Sequence, residues 1–165
     1  MTSIIDSTRK NHALEHATMT ILADRYRGVR MMGHSSPVGF ILMADLPTEI
    51  VTEVVLEAKR RLENGEPNLA VHPNCGTNMA VSSLASSAAA FSVLGLLSNK
   101  GKNAWWHYLI ATFVAIPAFH LAKPLGPKLQ KNLTTDPDTQ DMAVQMVTSQ
   151  KTANSFIHFI RTSAS

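Results

Sequence analysis

Two long uncharged segments dominate the pattern of apolar and polar positions along the chain. Residues 79–98 and 104–122 contain no Asp, Glu, Lys or Arg. Each matches the roughly 20 residues that a helix needs to cross the hydrocarbon core of a bilayer. The second carries Trp105 and Trp106 at one end and is followed by Lys123, and such residues anchor a span at the membrane surface. The pattern therefore predicts a transmembrane helical hairpin; the alternative is a buried hairpin in a soluble protein.

Shorter periodic patterns on both sides of these segments predict a small domain of helices and strands. A first helix, capped by Asp6 or Ser7, is predicted to run to about Tyr26. A second helix starts at Pro47 and runs to about Asn64, with its apolar residues on one stripe. Alternating or short apolar runs predict strands in residues 29–32, 38–44, 69–72, 142–149 and 156–162.

Together the patterns predict an α+β fold with an inserted transmembrane helical hairpin. We expect an α+β metal-binding part in residues 1–78 and a two-helix transmembrane hairpin in residues 79–123. Residues 124–165 are expected to form a C-terminal β-hairpin that returns to the α+β domain. Short connections, Asn99–Asn103 between the two spans and Ala153–Ser155 between the last two strands, favour antiparallel neighbours.

The amino-acid composition narrows the class of protein. Charged residues make up 16% of the chain, against about 25% in ordinary soluble domains, and hydrophobic residues make up 45%. The single cysteine, Cys75, cannot form an internal disulfide, so the fold does not depend on an oxidising compartment. Residues 1–78 carry 8 Lys/Arg and 9 Asp/Glu, whereas residues 79–165 carry 7 and 3. Most of those seven cations flank the uncharged segments, which is typical of a membrane protein, so no nucleic-acid partner is expected.

The lysines and the N-terminus predict how the chain lies relative to the membrane. The first twelve residues contain no long apolar stretch, so no cleaved signal peptide is expected. Lys123, Lys128 and Lys131 follow the second segment, against Lys100 and Lys102 in the loop, and cytoplasmic flanks carry the excess of lysine. We therefore expect an integral membrane protein with both termini cytoplasmic and membrane lipid as a partner.

The strongest chemical motif, His12-Ala-Leu-Glu15-His16, lies in the first predicted helix. Histidines four residues apart point in the same direction from a helix, so both imidazoles can bind one metal ion. Glu15 lies beside them, where its carboxylate can take a proton from a metal-bound water, and H-x-x-E-H is the order of the inverzincins. We predict His12 and His16 as metal ligands and Glu15 as the catalytic base. The alternative is that all three are polar residues on a solvated helix face.

A zinc site needs at least a third protein ligand. His72 and Cys75 form an H-x-x-C pair on a turn that contains Pro and Gly, where two donors can converge. Thiolate is a soft donor that suits zinc, so Cys75 is the predicted third ligand, although free cysteines are often simply small buried residues. Adding His72 as a fourth ligand would close the site and make the metal structural. His34, on the predicted hairpin turn, is a spare candidate, and the predicted ion is zinc or another divalent transition metal.

Two further histidines lie within the second uncharged segment. His107 and His120 are 13 residues apart, about 20 Å along a helix, so they cannot share one ion. We interpret them as interfacial anchors, since both lie near the ends of the segment. The alternative is that one of them ligates a porphyrin, because ionisable residues in spans tend to be functional.

The motifs carry a resemblance to one family of membrane proteins. Asn11–Thr18, which reads N-H-A-L-E-H-A-T, and His72–Asn78, which reads H-P-N-C-G-T-N, precede a pair of apolar segments. This arrangement resembles an uncharacterised family of small two-span membrane proteins from cyanobacteria and green non-sulfur bacteria. The resemblance covers most of the chain and implies a bacterial inner or photosynthetic membrane, but no known activity.

Residues 11–63 carry a second resemblance. A helix with H-x-x-E-H, a strand pair containing Gly and a second helix is similar to the start of an insulinase-type metallopeptidase half. The resemblance implies that His12 and His16 hold zinc and that Glu15 is the base. The third ligand in that family is a Glu far downstream, whereas this chain has no Glu after Glu66.

Two functions follow from these observations. The first is a membrane-anchored zinc-binding protein that hydrolyses a peptide or another acyl substrate through Glu15. The second is a non-catalytic accessory or assembly subunit of a respiratory or photosynthetic membrane complex, with a structural metal or none. Small residues four apart, as in Ser82 and Ser86, would let another helix approach closely, so the expected partners are other membrane subunits or a second copy of the chain.

Overall fold

The computed structural model describes residues 3–98, 104–152 and 155–164. The chain divides into two units, one formed by residues 1–72 together with 130–165 and the other by residues 73–129. The predicted connection Asn99–Asn103 and residues 153–154 of the predicted turn between the last two strands lie outside the described residues.

The first unit combines helices with one antiparallel sheet, so the predicted mixture of helices and strands is confirmed. In chain order the elements are α1 (Ile4–Arg25), β1 (Met31–Ser36), β2 (Gly39–Ala44), α2 (Thr48–Glu63), a 3-10 turn (Pro67–Ala70), a π-helical turn (Gln130–Thr134), β3 (Met142–Lys151) and β4 (Phe156–Ala164). The four strands are hydrogen-bonded in the order β1-β2-β4-β3. The chain thus returns after the second unit to place β4 between β2 and β3.

Helix α1 begins earlier than its sequence predicts. Its N-cap is Ser3, whose side-chain oxygen accepts a hydrogen bond of 3.1 Å from the backbone N–H of Asp6. The predicted caps Asp6 and Ser7 are therefore wrong, and Asp6 lies in the first turn, where its charge complements the helix dipole. Gly28 follows the end of the helix with φ 86°, a left-handed conformation that glycine adopts without steric cost.

Helices α1 and α2 cover one face of the sheet, and the core of the first unit lies between these two layers. The predicted apolar stripe of α2 is buried at spacings of three and four residues, because that spacing keeps side chains on one helix face. Full burial of one Val, Leu or Ile side chain contributes about 1.5–3 kcal/mol. The largest buried apolar residues of this core include Leu14, Leu22, Phe40, Leu42, Val51, Val54, Val55, Leu62 and Ile160.

Two strand predictions need correction. Residues 69–72 were expected to be extended, but Pro67–Ala70 forms a 3-10 turn, since Pro at the start of a turn has the fixed φ that a helical turn requires. His34 lies inside β1, paired with Ile41, and not on the hairpin turn. Strand β3 also carries a register shift between Val144 and Met146, which the alternation of its sequence does not reveal.

The second unit contains the two apolar segments as helices. They are α3 (Gly76–Leu97) and α4 (Trp105–Ala122), followed by the short α5 (Leu125–Leu129). Both α3 and α4 are long and apolar enough to cross a membrane, and few of the residues in their apolar stretches are buried. Ser86 Oγ of α3 donates a hydrogen bond of 2.9 Å to the carbonyl of Ala115 in α4, so the two helices approach closely at small residues.

His158 gives the first unit a predicted pH dependence. The ring is fully buried on the helix side of β4, and burial lowers its pKa below the usual 6.5, while backbone groups of Ala44 and Leu46 partly oppose that shift. The unfolded chain therefore binds a proton at a pH where the folded chain does not. Stability should fall as the pH drops below about 6.5 and level off under the lowered pKa.

Thermal unfolding of the wild type and of His158→Leu, followed by circular dichroism from pH 8 to pH 5, measures this effect. We expect the unfolding temperature of the variant to fall less over that range than that of the wild type. His34→Leu, which removes an exposed imidazole from the same sheet, is the control and should keep the wild-type slope. Equal slopes for all three chains would contradict the prediction.

Candidate metal centre

Helix α1 brings the H-x-x-E-H motif to the inner side of the first unit. The ring centroids of His12 and His16 are 4.2 Å apart, as expected for side chains one helical turn apart. His16 is 2% exposed and Glu15 is 5% exposed, while His12 is half-buried. The alternative of a solvated polar face is therefore wrong for Glu15 and His16, since these groups are removed from water.

The rotation of α1 about its axis is fixed by Asn11. Its Nδ2 donates a hydrogen bond of 2.8 Å to the carbonyl of Ser36 at the end of β1, and its Oδ1 accepts one of 2.7 Å from Thr162 Oγ1 of β4. Asn11 is buried, so these bonds are little affected by water. Because Glu15 follows Asn11 by four residues, the same rotation directs Glu15 towards β1.

Strand β1 accommodates the carboxylate of Glu15. Ser35 Oγ donates a hydrogen bond to Glu15 Oε2. Gly33, two residues earlier on the same strand, leaves the space that the carboxylate fills, because a Cβ atom at position 33 would overlap the Glu15 side chain. A side chain as small as alanine would force Glu15 to move. The strand thus holds the predicted base in one orientation.

Backbone carbonyls fix the tautomers of the two motif histidines. The Nδ1 atom of His12 lies 2.9 Å from the carbonyl oxygen of Thr134, and that of His16 lies 2.8 Å from the carbonyl oxygen of Ala70. A carbonyl can only accept, so each Nδ1 carries the hydrogen in these bonds. In a neutral ring the other nitrogen, Nε2, is then the unprotonated one. This is the arrangement that metal-binding histidines usually show.

His72 belongs to the same cluster of imidazoles. Its ring centroid lies 5.8 Å from that of His16, and the residue is buried. Gln130 holds its backbone from both sides: His72 N–H donates to Gln130 Oε1 at 2.9 Å, and Gln130 Nε2 donates to the His72 carbonyl at 3.1 Å. The first unit therefore assembles three imidazoles, from α1 and from the segment that follows the 3-10 turn.

The sulfur donor comes from the start of the second unit. Cys75 is buried and is the N-cap residue of α3. His12, His16 and Cys75 can each offer one ligand atom, so the chain carries the donors of a candidate His/Cys metal site. The identity of the metal does not follow from these donors. Because Cys75 and the histidines belong to different units, the predicted role of Cys75 as third ligand stays a prediction, as does that of His72 as fourth.

The remaining histidines lie elsewhere. His34 is exposed on β1 in the outward series with Met32, whereas Gly33 and Ser35 point to α1, so it does not join the imidazole cluster. In the second unit, His107 is buried at the start of α4, where its Nδ1 accepts a hydrogen bond of 3.3 Å from the Ala104 N–H. His120 lies in the last turn of α4 and is exposed. The exposed position of His120 at a helix end is compatible with interfacial anchoring, whereas that role stays a prediction for the buried His107.

Several residues that shape the centre were not predicted. Ser35 and Gly33 position Glu15, Gln130 fixes the backbone of His72, and the carbonyls of Ala70 and Thr134 orient the motif histidines. The small residues of β1, the strand that follows α1 in the chain, are one local signal for these partners. A strand next to a buried carboxylate needs small side chains to leave room for it. Backbone carbonyls carry no residue-specific signal, so those two partners required the fold.

The comparisons with known proteins place the chain among uncharacterised relatives. Residues 7–147 match the family described as a domain of unknown function, DUF6391. An uncharacterised protein of the cyanobacterium Picosynechococcus sp. (strain ATCC 27264 / PCC 7002 / PR-6) is 34% identical over 136 residues, which is 77% of this chain. The aligned part spans 65% of that relative's length. No solved structure matches the chain.

Proposed function

The chain belongs to the DUF6391 family, and from that premise we propose that it is a membrane-anchored zinc protein that uses Glu15 for hydrolysis. The observation that carries the proposal is the inner side of α1. There, two imidazoles with oriented Nδ1 atoms lie beside a buried carboxylate that Ser35 holds in place. Burying a carboxylate costs free energy, so few carboxylates are buried. Hydrolytic sites are among the places where a buried carboxylate lies beside imidazoles.

Zinc suits the donors of this chain. Imidazole nitrogen and thiolate sulfur are its usual ligands, whereas calcium and magnesium prefer oxygen. We propose His12, His16 and Cys75 as the three ligands. Cys75 follows His72 by three residues, which limits the separation of their Cα atoms to about 11 Å. The His72 ring lies next to the His16 ring, so His72 is the candidate fourth ligand. If His72 also bound the zinc, the site would be structural.

Three ligands would leave one position for a substrate or water. Bound zinc lowers the pKa of a water ligand to about 7 and polarises carbonyl groups. Glu15 would accept the proton of that water and return it to the leaving group, while Ser35 keeps the carboxylate from rotating away. A base held in one orientation loses no entropy when it reacts. The substrate would be a peptide or another acyl compound near the membrane surface.

The helices of the second unit support the membrane part of the proposal. A core helix of a soluble protein is mostly buried, whereas little of α3 and α4 is buried. Large apolar side chains such as Phe113, Leu121 and Leu96 are exposed on them, and lipid would cover such groups without cost. We also propose that these helices anchor the protein in a bacterial inner or photosynthetic membrane, with both termini cytoplasmic.

X-ray absorption at the zinc edge of the purified protein tests the site. We expect one zinc per chain, with nitrogen ligands and one sulfur ligand in the wild type. The Cys75→Ser variant should lose the sulfur contribution and bind zinc more weakly. Ser82→Ala, a small buried change in the same helix α3, is the matched control and should leave both unchanged. A protein without stoichiometric metal would refute the proposal, and a spectrum without sulfur would remove Cys75 from it.

The alternative function is a non-catalytic subunit of a membrane complex. It is favoured by the small residues that α3 exposes along most of its length, among them Ser83, Ser87 and Gly95. Such residues let helices of other proteins approach closely. Extraction in a mild detergent separates the two functions: co-migration with a large complex supports the subunit, whereas an active protein that migrates alone supports the hydrolase.

A further inference from the structure

The sheet of the first unit has a second face that neither α1 nor α2 covers. Its outward positions carry six apolar side chains, three of them methionine, together with polar residues such as His34 on β1 and Thr148 on β3. Met32 is 68% exposed and Met146 is 54% exposed, values far above those of core residues. We call this surface the open sheet face, and its apolar members are Met32, Ile41, Met43, Met146, Ile157 and Phe159.

The strand register makes five of these residues one continuous patch, and Met146 lies at its border, paired with Arg161. Met43 of β2 lies between Met32 of β1 and Ile157 of β4, and Ile41 is the partner of Phe159 in the next row. Strands are about 4.8 Å apart, so directly opposite side chains touch. A contiguous exposed apolar patch of this kind usually marks an interaction site.

We propose that the open sheet face binds the same face of a second copy of this chain, so that two sheets stack across a two-fold axis. The proposal is independent of the metal centre, because these side chains point away from α1. Stacked sheets lie about 10 Å apart with interdigitated side chains. Methionine suits a surface that packs against itself, since its flexible thioether adapts to irregular gaps.

The charges at the ends of the face are complementary between two copies of the chain. Arg161 is paired with Gly39 at one end of β2, whereas Asp45 directly follows the other end of β2, with Arg30 near it. Neither Asp45 nor Arg161 takes part in an ion pair within the part of the chain that the structure describes. A two-fold axis that lies parallel to the sheet plane and perpendicular to the strands would bring Arg161 of each copy towards Asp45 of the other.

The size of the face fits a weak dimer. Four strands about 4.8 Å apart and six residues long span roughly 20 Å in each direction, or about 400 Å² of projected area. The relief of the side chains makes the accessible area larger than this projection. A standard interface buries about 800 Å² per partner, so we expect a dimer that dissociates on dilution.

Crosslinking of the full-length chain in its membrane tests this geometry. Phe159 lies near the centre of the face. A cysteine at that position therefore lies close to the same cysteine of the second copy, whichever in-plane two-fold axis relates the two chains. We expect a short bismaleimide to give at least about ten times more dimer with Phe159→Cys than with Glu53→Cys, which places the thiol on the exposed side of α2. The wild type, whose Cys75 is buried, should give none. Equal crosslinking of the two variants would overturn the proposal.

A second pair of variants measures the affinity. Met43→Lys puts a charge in the patch, and Leu56→Lys puts the same charge on an exposed apolar position of α2. We expect Met43→Lys to raise the dimer dissociation constant of the purified protein at least tenfold, and Leu56→Lys to leave it unchanged, as measured by light scattering in detergent. Circular dichroism confirms that both variants fold. A wild type that stays monomeric at tens of micromolar, or equal effects of the two variants, would refute the second copy as the occupant.

Discussion

Glu15→Gln should lower the turnover of zinc-loaded protein by about 10²–10⁴-fold, the usual contribution of a general base. Glutamine keeps the size of the side chain and can still accept a hydrogen bond from Ser35, but its amide cannot take a proton at neutral pH. The space beside Gly33 is retained as well, so the local structure should survive. Because Glu15 is not a predicted ligand, the zinc content should stay at that of the wild type.

The measurement is the rate of hydrolysis of a panel of peptides and esters by protein in detergent or nanodiscs, together with metal analysis of the same samples. Glu49→Gln removes an exposed carboxylate from α2 and is the matched control, which should keep full activity. If metal-loaded wild type has no activity that depends on Glu15, the hydrolytic part of the proposed function fails. The metal would then be structural, in agreement with the role of an accessory subunit.

His16→Ala should weaken zinc binding by about 100-fold or more. Loss of a group that only orients a ligand already costs 10–100-fold in metal affinity, and His16 is proposed as a ligand itself. The structural reason is its fixed geometry, with the ring buried and its Nδ1 bonded to the Ala70 carbonyl. Metal content after dialysis against a weak chelator measures the effect.

Removal of a buried side chain also leaves a cavity, so stability needs a separate control. Zinc stabilises the folded state only of chains that bind it. The unfolding temperature of the wild type should therefore fall when a strong chelator is added, whereas that of His16→Ala should not change. His34→Ala, which alters an exposed imidazole outside the cluster, should respond to the chelator like the wild type. An equal response of all three chains would contradict the role of His16.

Local sequence patterns predicted the elements that repeat regularly. The stripe of α2, the motif spacing on α1 and the two uncharged segments all depend on residues three or four positions apart, and the structure has these helices. The alternation in 142–149 and 156–162 likewise predicted β3 and β4. Such patterns are reliable because one face of each element must be buried.

Local patterns did not predict the exact cap and turn residues or the hydrogen bonds between distant residues. The caps Asp6 and Ser7 were plausible by residue type, but Ser3 has the same chemistry and lies earlier. Residues 69–72 contain apolar residues, yet the preceding Pro67 favours a helical turn. Gln130 lies 58 positions from His72, and no local pattern links their hydrogen bonds. The carbonyl partners of His12 and His16 depend in the same way on distant turns.

The position of β4 between β2 and β3 determines when the first unit can be completed. The strand is synthesised after β2 and after both apolar helices. Until then β2 has an open edge of backbone N–H and carbonyl groups, which in other proteins recruits foreign strands. Translation that stops before residue 156 would therefore yield a product prone to aggregation, and both apolar helices are synthesised before the sheet can close.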